Sequence, residues 1–533
     1  MGIYLNPGNE NFKSALRSEI YVDKSLLLEY TNSVMDTEQR CLCVSRPRRF
    51  GKSITADMLA AYYGRDCDSF DLFADLKIAS KECFRKHLNQ YHVIHIDMNT
   101  FCHKRDADTR LEITALQAVD LFHMEVIEEL RKQFGTCVKN DIADLPTALA
   151  HVNDALGEKF IIIIDEWDTI FRESKSDTKA QDAYIDLLRG LFKNAPSKKF
   201  LKLAYITGIL PVKKYGTESA LNNFDEFTMI QAEPLEEYVG FTEREVQTLY
   251  QKYQIDFEEA KSWYDGYVLG NHLHIYNPKS VVDSLRRRRI SNYWTSTETY
   301  ESLKTYIGMN YEGLKDAVIA MISGGRIRID TGTFENDMIH FSSRDDVLTV
   351  LIHLGYLAYD VDTEEVYVPN EEVRSAFVRA VKKNKWKKVI QAIEASDFLL
   401  KATWSQDEQA VAEAVEKIHM DHTSILQYND ENALSCVISL AYYNAVDEYT
   451  LIRELPAGKG YADVVFLPRR SSDKPAMIVE LKCGKSTKAA LDQIKERRYA
   501  EALEEYKGNL LLVGINYEKE SKKHQCEIEK LVW

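Results

Sequence analysis

Residues 43–53 read Cys-Val-Ser-Arg-Pro-Arg-Arg-Phe-Gly-Lys-Ser, and residues 160–166 read Phe-Ile-Ile-Ile-Ile-Asp-Glu. The first stretch leaves an apolar run, Cys41–Ser45, and enters a segment of helical periodicity, Ser53–Tyr63. A strand, a short loop and a helix N-terminus form the context in which backbone amides cradle phosphate. Gly51, Lys52 and Ser53 match the end of the pattern G-x-x-x-x-G-K-[ST]. Glycine lets the backbone approach an anion closely. Lysine reaches the β and γ oxygens of a nucleotide. The serine hydroxyl suits Mg2+, and the helix behind it presents its positive end. Arg49, Phe50 and Ile54 flank this core and complete the expected ATP-binding segment. Arg46 occupies the position of the pattern's first glycine. A basic loop at the start of a helix would read the same way.

The second stretch is an apolar strand that ends in two acids. Asp165 is placed to hold Mg2+ through water, and Glu166 to orient an attacking water. Two acids capping a helix N-terminus are the plainer alternative, which explains neither the strand nor its placement. A third run, Lys202–Thr207, ends in a hydroxyl that would sense the γ-phosphate, with a simple strand-end turn as the alternative.

Outward from these stretches, residues 1–289 alternate strand-like runs with helical ones. Strands are expected at Cys41–Ser45, Val93–Met98, Phe160–Asp165, Leu201–Thr207 and Phe227–Ile230, and helices at Ser53–Tyr63 and Leu111–Phe134. This alternation predicts a mostly parallel, three-layer α/β domain. Solid apolar runs such as Phe160–Ile164 fit a sheet buried on both faces. Residues 290–385 change character. Val347–Leu357 reads as a helix running into a strand. Tyr356–Tyr359 and Val366–Val368 flank a polar turn, and a helix opens after Pro369–Asn370. That order suggests a small winged-helix-like module, serving either nucleic acid or domain packing. Residues 386–533 are α/β in another order: helices to Tyr443, strands at Thr450–Leu455, Tyr461–Leu467 and Ala476–Leu481, a basic helix Thr487–Leu503, and a strand Asn509–Ile515. Adjacent strands followed by a crossover helix predict a mixed sheet.

This last segment carries a second constellation. Asp463 closes Gly460-Tyr-Ala-Asp, sixteen residues follow, and then comes Glu480-Leu-Lys482. Glu480 and Lys482 lie two apart on one strand and so face one side. If that strand pairs with the one bearing Asp463, two carboxylates and an amine converge. Phosphodiester hydrolysis needs a hard cation, and carboxylate oxygens suit Mg2+ or Mn2+. An amine beside them positions water or stabilises charge on phosphorus. An acid and a base two apart are more often the wet face of a strand, but here the neighbours Val464–Leu467 and Met477–Val479 are apolar. Gln493 follows on the basic helix. Glu431 opens the upstream helix Asn432–Tyr443 as a further candidate metal ligand.

Read together, RPRRFGKS, IIIIDEWD, YITGIL, LNNFDEFTM, GFTEREV and WYDGY…IYNP resemble the AAA-ATPase-like family found fused to nuclease domains in many bacteria. In that family arginine at the first glycine position is usual. The order helix Glu431, strand Asp463, strand Glu480-x-Lys482 and helix Gln493, with Tyr499 downstream, resembles the PD-(D/E)XK nuclease superfamily, with a restriction-endonuclease-like mixed sheet. Gly460-Tyr-Ala replaces the proline of the name. The resemblance implies ATP and Mg2+ at Gly51, Lys52, Ser53, Asp165 and Glu166, and a divalent ion at Asp463, Glu480 and, less directly, Glu431. Asp463, Glu480, Lys482 and Gln493 then carry nucleic-acid cleavage, with DNA ahead of RNA. No arginine finger is evident; Arg46, Arg48 and Arg49 are the candidates. ATPases of this kind often assemble, so a homo-oligomer is open, as are roles in mobile elements or defence.

Composition sets the outer limits. The 533 residues are 45% hydrophobic and carry a net charge of −15, with a pI near 5.5. That balance argues against a non-specific nucleic-acid coat protein. Residues 456–500 nevertheless hold ten Lys/Arg against five Asp/Glu, and Arg286–Arg289 is a second basic run; both are candidate phosphate contacts or solvated faces. No apolar run approaches the roughly 20 residues that span a bilayer, so no membrane partner is expected. Nine unpatterned cysteines and an N-terminus without a signal pattern predict a reducing cytoplasm. The expected domains are 1–289, 290–385 and 386–533. The function expected is an ATP-regulated nuclease. A nucleotide-gated binding module that cuts nothing is the alternative, and transfer to a small acceptor leaves the second constellation unused.

Overall fold

The computed structural model describes residues 2–531 except 106–111, 213, 216–217, 220, 295–298, 310, 336–337, 339–340, 385, 423–437, 439–440, 458–459, 469–471, 497–502, 504–505, 507, 519 and 522. The chain divides into two compact units. One comprises Met1–Ile255, Gly266–Arg289 and Ile329–Glu364; the other comprises Asp256–Asp265, Ile290–Arg328 and Glu365–Trp533.

The first unit is built on five parallel strands: β1 (Cys41–Ser45), β2 (His92–Asp97), β3 (Phe160–Asp165), β4 (Leu201–Gly208) and β5 (Asp225–Phe227). Their order is β2-β3-β4-β1-β5. Every residue of β1 and β3 is buried. Cys43, Ile94, Ile162 and Ile206 meet helices Ala115–Phe134, Leu145–Leu156 and Thr178–Phe192 in one apolar cluster. Leu42, Val93, Ile161 and Leu203, of opposite parity, are buried as well, so the sheet is covered on both faces. The strand expected at Phe227–Ile230 is instead Asp225–Phe227. The Thr228 hydroxyl accepts the amides of Ile230 and Gln231 at 3.1 and 3.2 Å, and this local turn ends the ladder. A smaller antiparallel sheet orders Phe241–Thr242, Leu273–Tyr276 and Tyr267–Leu269.

The second unit holds a mixed sheet of β6 (Tyr449–Ala457), β7 (Gly460–Pro468), β8 (Ala476–Cys483), β9 (Leu510–Glu518) and β10 (Lys523–Leu531), in that spatial order. Only β8 and β9 pair in parallel, and the crossover between them carries helix Thr487–Glu496. The mixed sheet matches expectation; β10 was not anticipated. Its sequence KHQCEIEKL is charged and only partly buried, as an edge strand can be, and so lacks an apolar signature.

Residues 290–385, expected as one module, are shared between the two units. The Tyr267 hydroxyl donates to the Gly355 carbonyl at 2.6 Å within the first. In the second, the amides of Tyr293 and Trp294 both donate to Glu372 Oε1 at 2.6 Å. The anticipated order of elements is present: helix Arg344–His353, strands Ala358–Asp360 and Glu365–Tyr367, and helix Glu371–Lys383 capped by Asn370. Among the described residues no helix is long and apolar enough to cross a membrane.

Candidate functional site

The loop after β1 is fixed from below by Arg46. Its side chain is 0% exposed, and Nη1 donates to the carbonyls of Ser45, Phe227 and Thr228 at 2.9–3.0 Å. Burial lowers the guanidinium pKa to about 10. Arginine at the first glycine position therefore acts as a post that ties the loop to the end of β5. Phe50 is also buried; its ring meets Tyr267 edge-on at 5.7 Å, and only its main chain is left for a ligand. Asn277 Nδ2 donates to the Arg48 carbonyl at 3.4 Å. The distant motifs GFTEREV, WYDGY and IYNP are thereby given a task. Gly240 leaves room for Phe50 and Ile275, where a Cβ would approach to 3.2 and 2.5 Å, and Tyr267 and Asn277 support the loop. Restoring the glycine by Arg46→Gly should destabilise the chain by about 3 kcal/mol or more, because it opens a void and orphans three buried carbonyls. An unchanged urea midpoint would refute this account of Arg46.

Gly51 takes φ 96° and caps helix Lys52–Tyr63 without a side-chain bond, and a Cβ there would meet nothing within 4 Å. Helix geometry leaves the first amides of that turn without intrahelical acceptors. Arg49 also adopts positive φ, at 72°, and its side chain is exposed. Ser53 and Ile54 are exposed on the first turn. The Lys52 side chain is 4% exposed; Nζ donates to the Pro47 carbonyl at 3.2 Å and lies 3.7 Å from Glu166 Oε1.

Asp165 and Glu166 end β3 beside this turn. Burial pushes the Asp165 carboxyl up to about 6, although the Ser53 hydroxyl and Lys52 both act to lower it. Burial also raises Glu166, but Lys52, Arg172 and Arg48 together hold it below the usual glutamate range, which keeps it ionised at neutral pH. Arg172 was not anticipated. Its Nη2 pairs with Glu166 Oε2, while Nε donates to Asp168 Oδ2 at 3.0 Å. Asp168, fully buried, accepts the amides of Ile209 and Leu210 at 3.1 and 2.9 Å. A clamp thus runs from Glu166 to the turn after β4. Thr207 lies level with Asp165 in the sheet, but its hydroxyl is buried and its single proton goes to the Val44 carbonyl at 2.7 Å. In the ligand-free chain this hydroxyl is turned to the neighbouring strand β1 rather than toward the expected γ-phosphate contact.

In the second unit, β7 and β8 run antiparallel with Val464 opposite Val479. Asp463 and Glu480 consequently share a face. Asp463 Oδ2 accepts the Leu481 amide at 2.8 Å. Glu480 is 0% exposed; Oε1 accepts from Lys482 Nζ at 3.0 Å and from Gln493 Nε2. Lys482 Nζ also donates to the Leu481 carbonyl at 3.0 Å. Gly514, opposite Glu480 on β9, lets the crossover helix sit directly on the sheet. A Cβ there would come within 2.8 Å of the Thr487 carbonyl and 3.2 Å of Ala490 and Leu491. That close approach brings Gln493 to Glu480. The structure thus gathers Asp463, Glu480, Lys482 and Gln493. Glu431 and Tyr499 lie outside the described residues.

Glu480 Oε2 is buried with no hydrogen-bond partner among the described residues. Burial, reinforced by Asp463, raises its carboxyl to about 7. An orphaned carboxylate oxygen beside a second carboxylate is a donor set that fits a hard divalent ion.

Residues 8–217 match the family model for a predicted AAA-ATPase, and residues 429–527 match the model for the PD-(D/E)XK nuclease superfamily. An uncharacterized protein in the vnfD 5' region of Azotobacter chroococcum mcd 1 is 25% identical over 263 residues, 48% of this chain and 47% of that protein. The match therefore spans about half the length of this curated relative. Among solved structures, the Aeropyrum pernix ORC2 protein (ADPNP–ADP complexes) aligns at 12% identity and a TM-score of 0.30, covering 69% of this chain and 97% of that one. CDC6P from Pyrobaculum aerophilum aligns at 11% identity and a TM-score of 0.20, covering 70% and 98%. The chain carries an AAA-ATPase-like domain within residues 8–217 and a PD-(D/E)XK nuclease superfamily domain within residues 429–527.

Proposed function

We propose that this chain binds and hydrolyses ATP with Mg2+ at the first site and cleaves nucleic-acid phosphodiesters at the second, with the nucleotide state regulating the cut. The observation that carries the cleavage reading is the buried Glu480 carboxylate, one oxygen held by Lys482 and Gln493 and the other without a partner among the described residues. Asp463 and Glu480 would hold a divalent ion. When bound, such an ion polarises the scissile phosphate and acidifies water. Lys482 would keep its ammonium against the phosphate and limit the charge that develops there. Gln493 would hold the Glu480 carboxylate in place. At the first site Lys52 and the first amides of its helix would bind the β and γ phosphates. Ser53 and Asp165 would hold Mg2+. Glu166, kept ionised and oriented by Arg172, would position water. Regulation by ATP is inferred from the presence of both sites on one chain.

The test is cleavage by the full chain of labelled single- and double-stranded DNA and RNA, with Mg2+ or Mn2+ and with or without ATP. Cutting that depends on a divalent ion and changes with ATP is expected. ATP-dependent binding without any cut would favour a nucleotide-gated binding module instead.

Proton linkage at Glu480 gives a further prediction. Its pKa is raised from the usual carboxylate value to about 7, so the metal-free native chain prefers the protonated form. The sign follows directly: between the unfolded and folded pKa values the native state binds more protons, and its stability falls as pH rises. An entering divalent ion must displace that proton. Affinity for Mn2+ should therefore rise nearly tenfold per pH unit below about 7 and level off above it. Calorimetry in buffers of different ionisation enthalpy should find about one proton released per ion at pH 6. Affinity that is flat from pH 5.5 to 7.5 would remove Glu480 as a ligand.

A further inference from the structure

We propose that Asn516 is a substrate-contacting residue of the second site, donating its side-chain amide to a non-bridging oxygen of the scissile phosphate. The proposal rests on the cleavage reading above and adds to it a neutral donor that the sequence did not reveal.

Asn516 stands on β9 in parallel register with Lys482 on β8, as Gly514 does with Glu480. Paired residues of adjacent strands point to one face, so Asn516 shares the face that carries Glu480 and Lys482. The same face holds the apolar cluster of Val465, Ile478, Leu491, Leu510 and Leu512, against which the crossover helix packs. Asn516 is 2% exposed, an unusual burial for a carboxamide that has no duty.

One half of the side chain has such a duty. The Lys485 amide donates to Oδ1 at 3.1 Å, in the turn that leaves β8. A backbone N–H needs an acceptor, so this bond decides which end of the amide is oxygen. The planar group is then fixed, and its NH2 is left with two hydrogens and no partner among the described residues. The ligand chemistry follows. On this face Glu480 Oε1 and Asp463 Oδ2 are already engaged by Lys482, Gln493 and the Leu481 amide, and the proposed divalent ion would take Glu480 Oε2. A preorganised N–H donor beside an ammonium suits a phosphate oxygen on which charge grows during attack. The purely structural alternative is that Asn516 serves only to hold the Lys485 turn.

The two roles separate by substitution in the full chain. Asn516→Asp retains the acceptor for Lys485 and removes the donor; Asn516→Leu removes both without adding charge. Single-turnover cleavage at saturating Mn2+ is measured on whichever labelled nucleic acid the parent cuts fastest, alongside thermal unfolding. We expect both variants to lose ten- to hundredfold in rate, with Asn516→Asp melting close to the parent. A rate within threefold of the parent in either variant would overturn the proposal. Loss in Asn516→Asp alone would reflect its charge, and loss in Asn516→Leu alone would reflect the turn. Should Asn516→Leu fail to fold, the smaller uncharged variant Asn516→Ala takes its place beside Asn516→Asp. A parent that cuts no substrate under any metal would instead defeat the cleavage reading itself, and this inference with it.

Discussion

Lys482→Ala is expected to lower phosphodiester cleavage by the full chain a hundredfold or more, with its fold retained. Removing one preorganised group that stabilises transition-state charge typically costs a factor of about 10²–10³. Lys482 is more than a passive cation here. Its Nζ is held at 3.0 Å by both Glu480 Oε1 and the Leu481 carbonyl, which fixes the ammonium on the face shared by both carboxylates. Its loss also strips Glu480 of the neighbour that opposes its raised pKa, so metal affinity should weaken together with the rate. The assay therefore needs saturating Mn2+ to isolate the rate effect. Cutting that persists unchanged would show that the phosphodiester is broken elsewhere or by a contaminant.

Lys52→Ala should weaken ATP binding by ten- to hundredfold. A hydrogen bond to a charged group contributes about 1.5–3 kcal/mol, and the ammonium makes such bonds to phosphate oxygens. In the ligand-free chain Lys52 spends its charge on the Pro47 carbonyl and on Glu166 at 3.7 Å. Nucleotide binding must draw it from those partners, while Arg172 continues to hold Glu166. The variant should keep its secondary structure, because Glu166 retains a cation. Titration with a fluorescent ATP analogue checks this, and an affinity equal to the parent would discredit the phosphate-binding loop.

The backbone of both sites was legible in the sequence because period and punctuation carry it. Strands β1 and β3 are nearly solid apolar runs, and the glycine before Lys52 marks a place where φ turns positive. Strand parity placed Glu480 and Lys482 on one face; their convergence with Asp463 further required β7 to pair with β8 in the observed register. Features that depend on contacts distant in sequence were not legible. Arg46 reads as a broken motif until its three carbonyls are seen, two of them about 180 residues away. Arg172 is an ordinary basic residue until its turn folds back on Glu166. Asn516 sits in a run, Leu510–Glu518, whose leading apolar residues mask its polar side chain. The buried bonds that tie Tyr293 and Trp294 to Glu372, nearly eighty residues apart, likewise leave no pattern along the chain.

The way the polypeptide is shared between units has a practical outcome. The chain passes from one unit to the other at 255/256, 265/266, 289/290, 328/329 and 364/365. No single scissor point frees either half intact. A fragment beginning at Glu365 would leave Asp256–Asp265 and Ile290–Arg328 stranded, exposing the surfaces they cover. Neither unit is one continuous stretch of chain, so a truncation library cut at a single point yields no fragment that holds all the segments of one unit and none of the other.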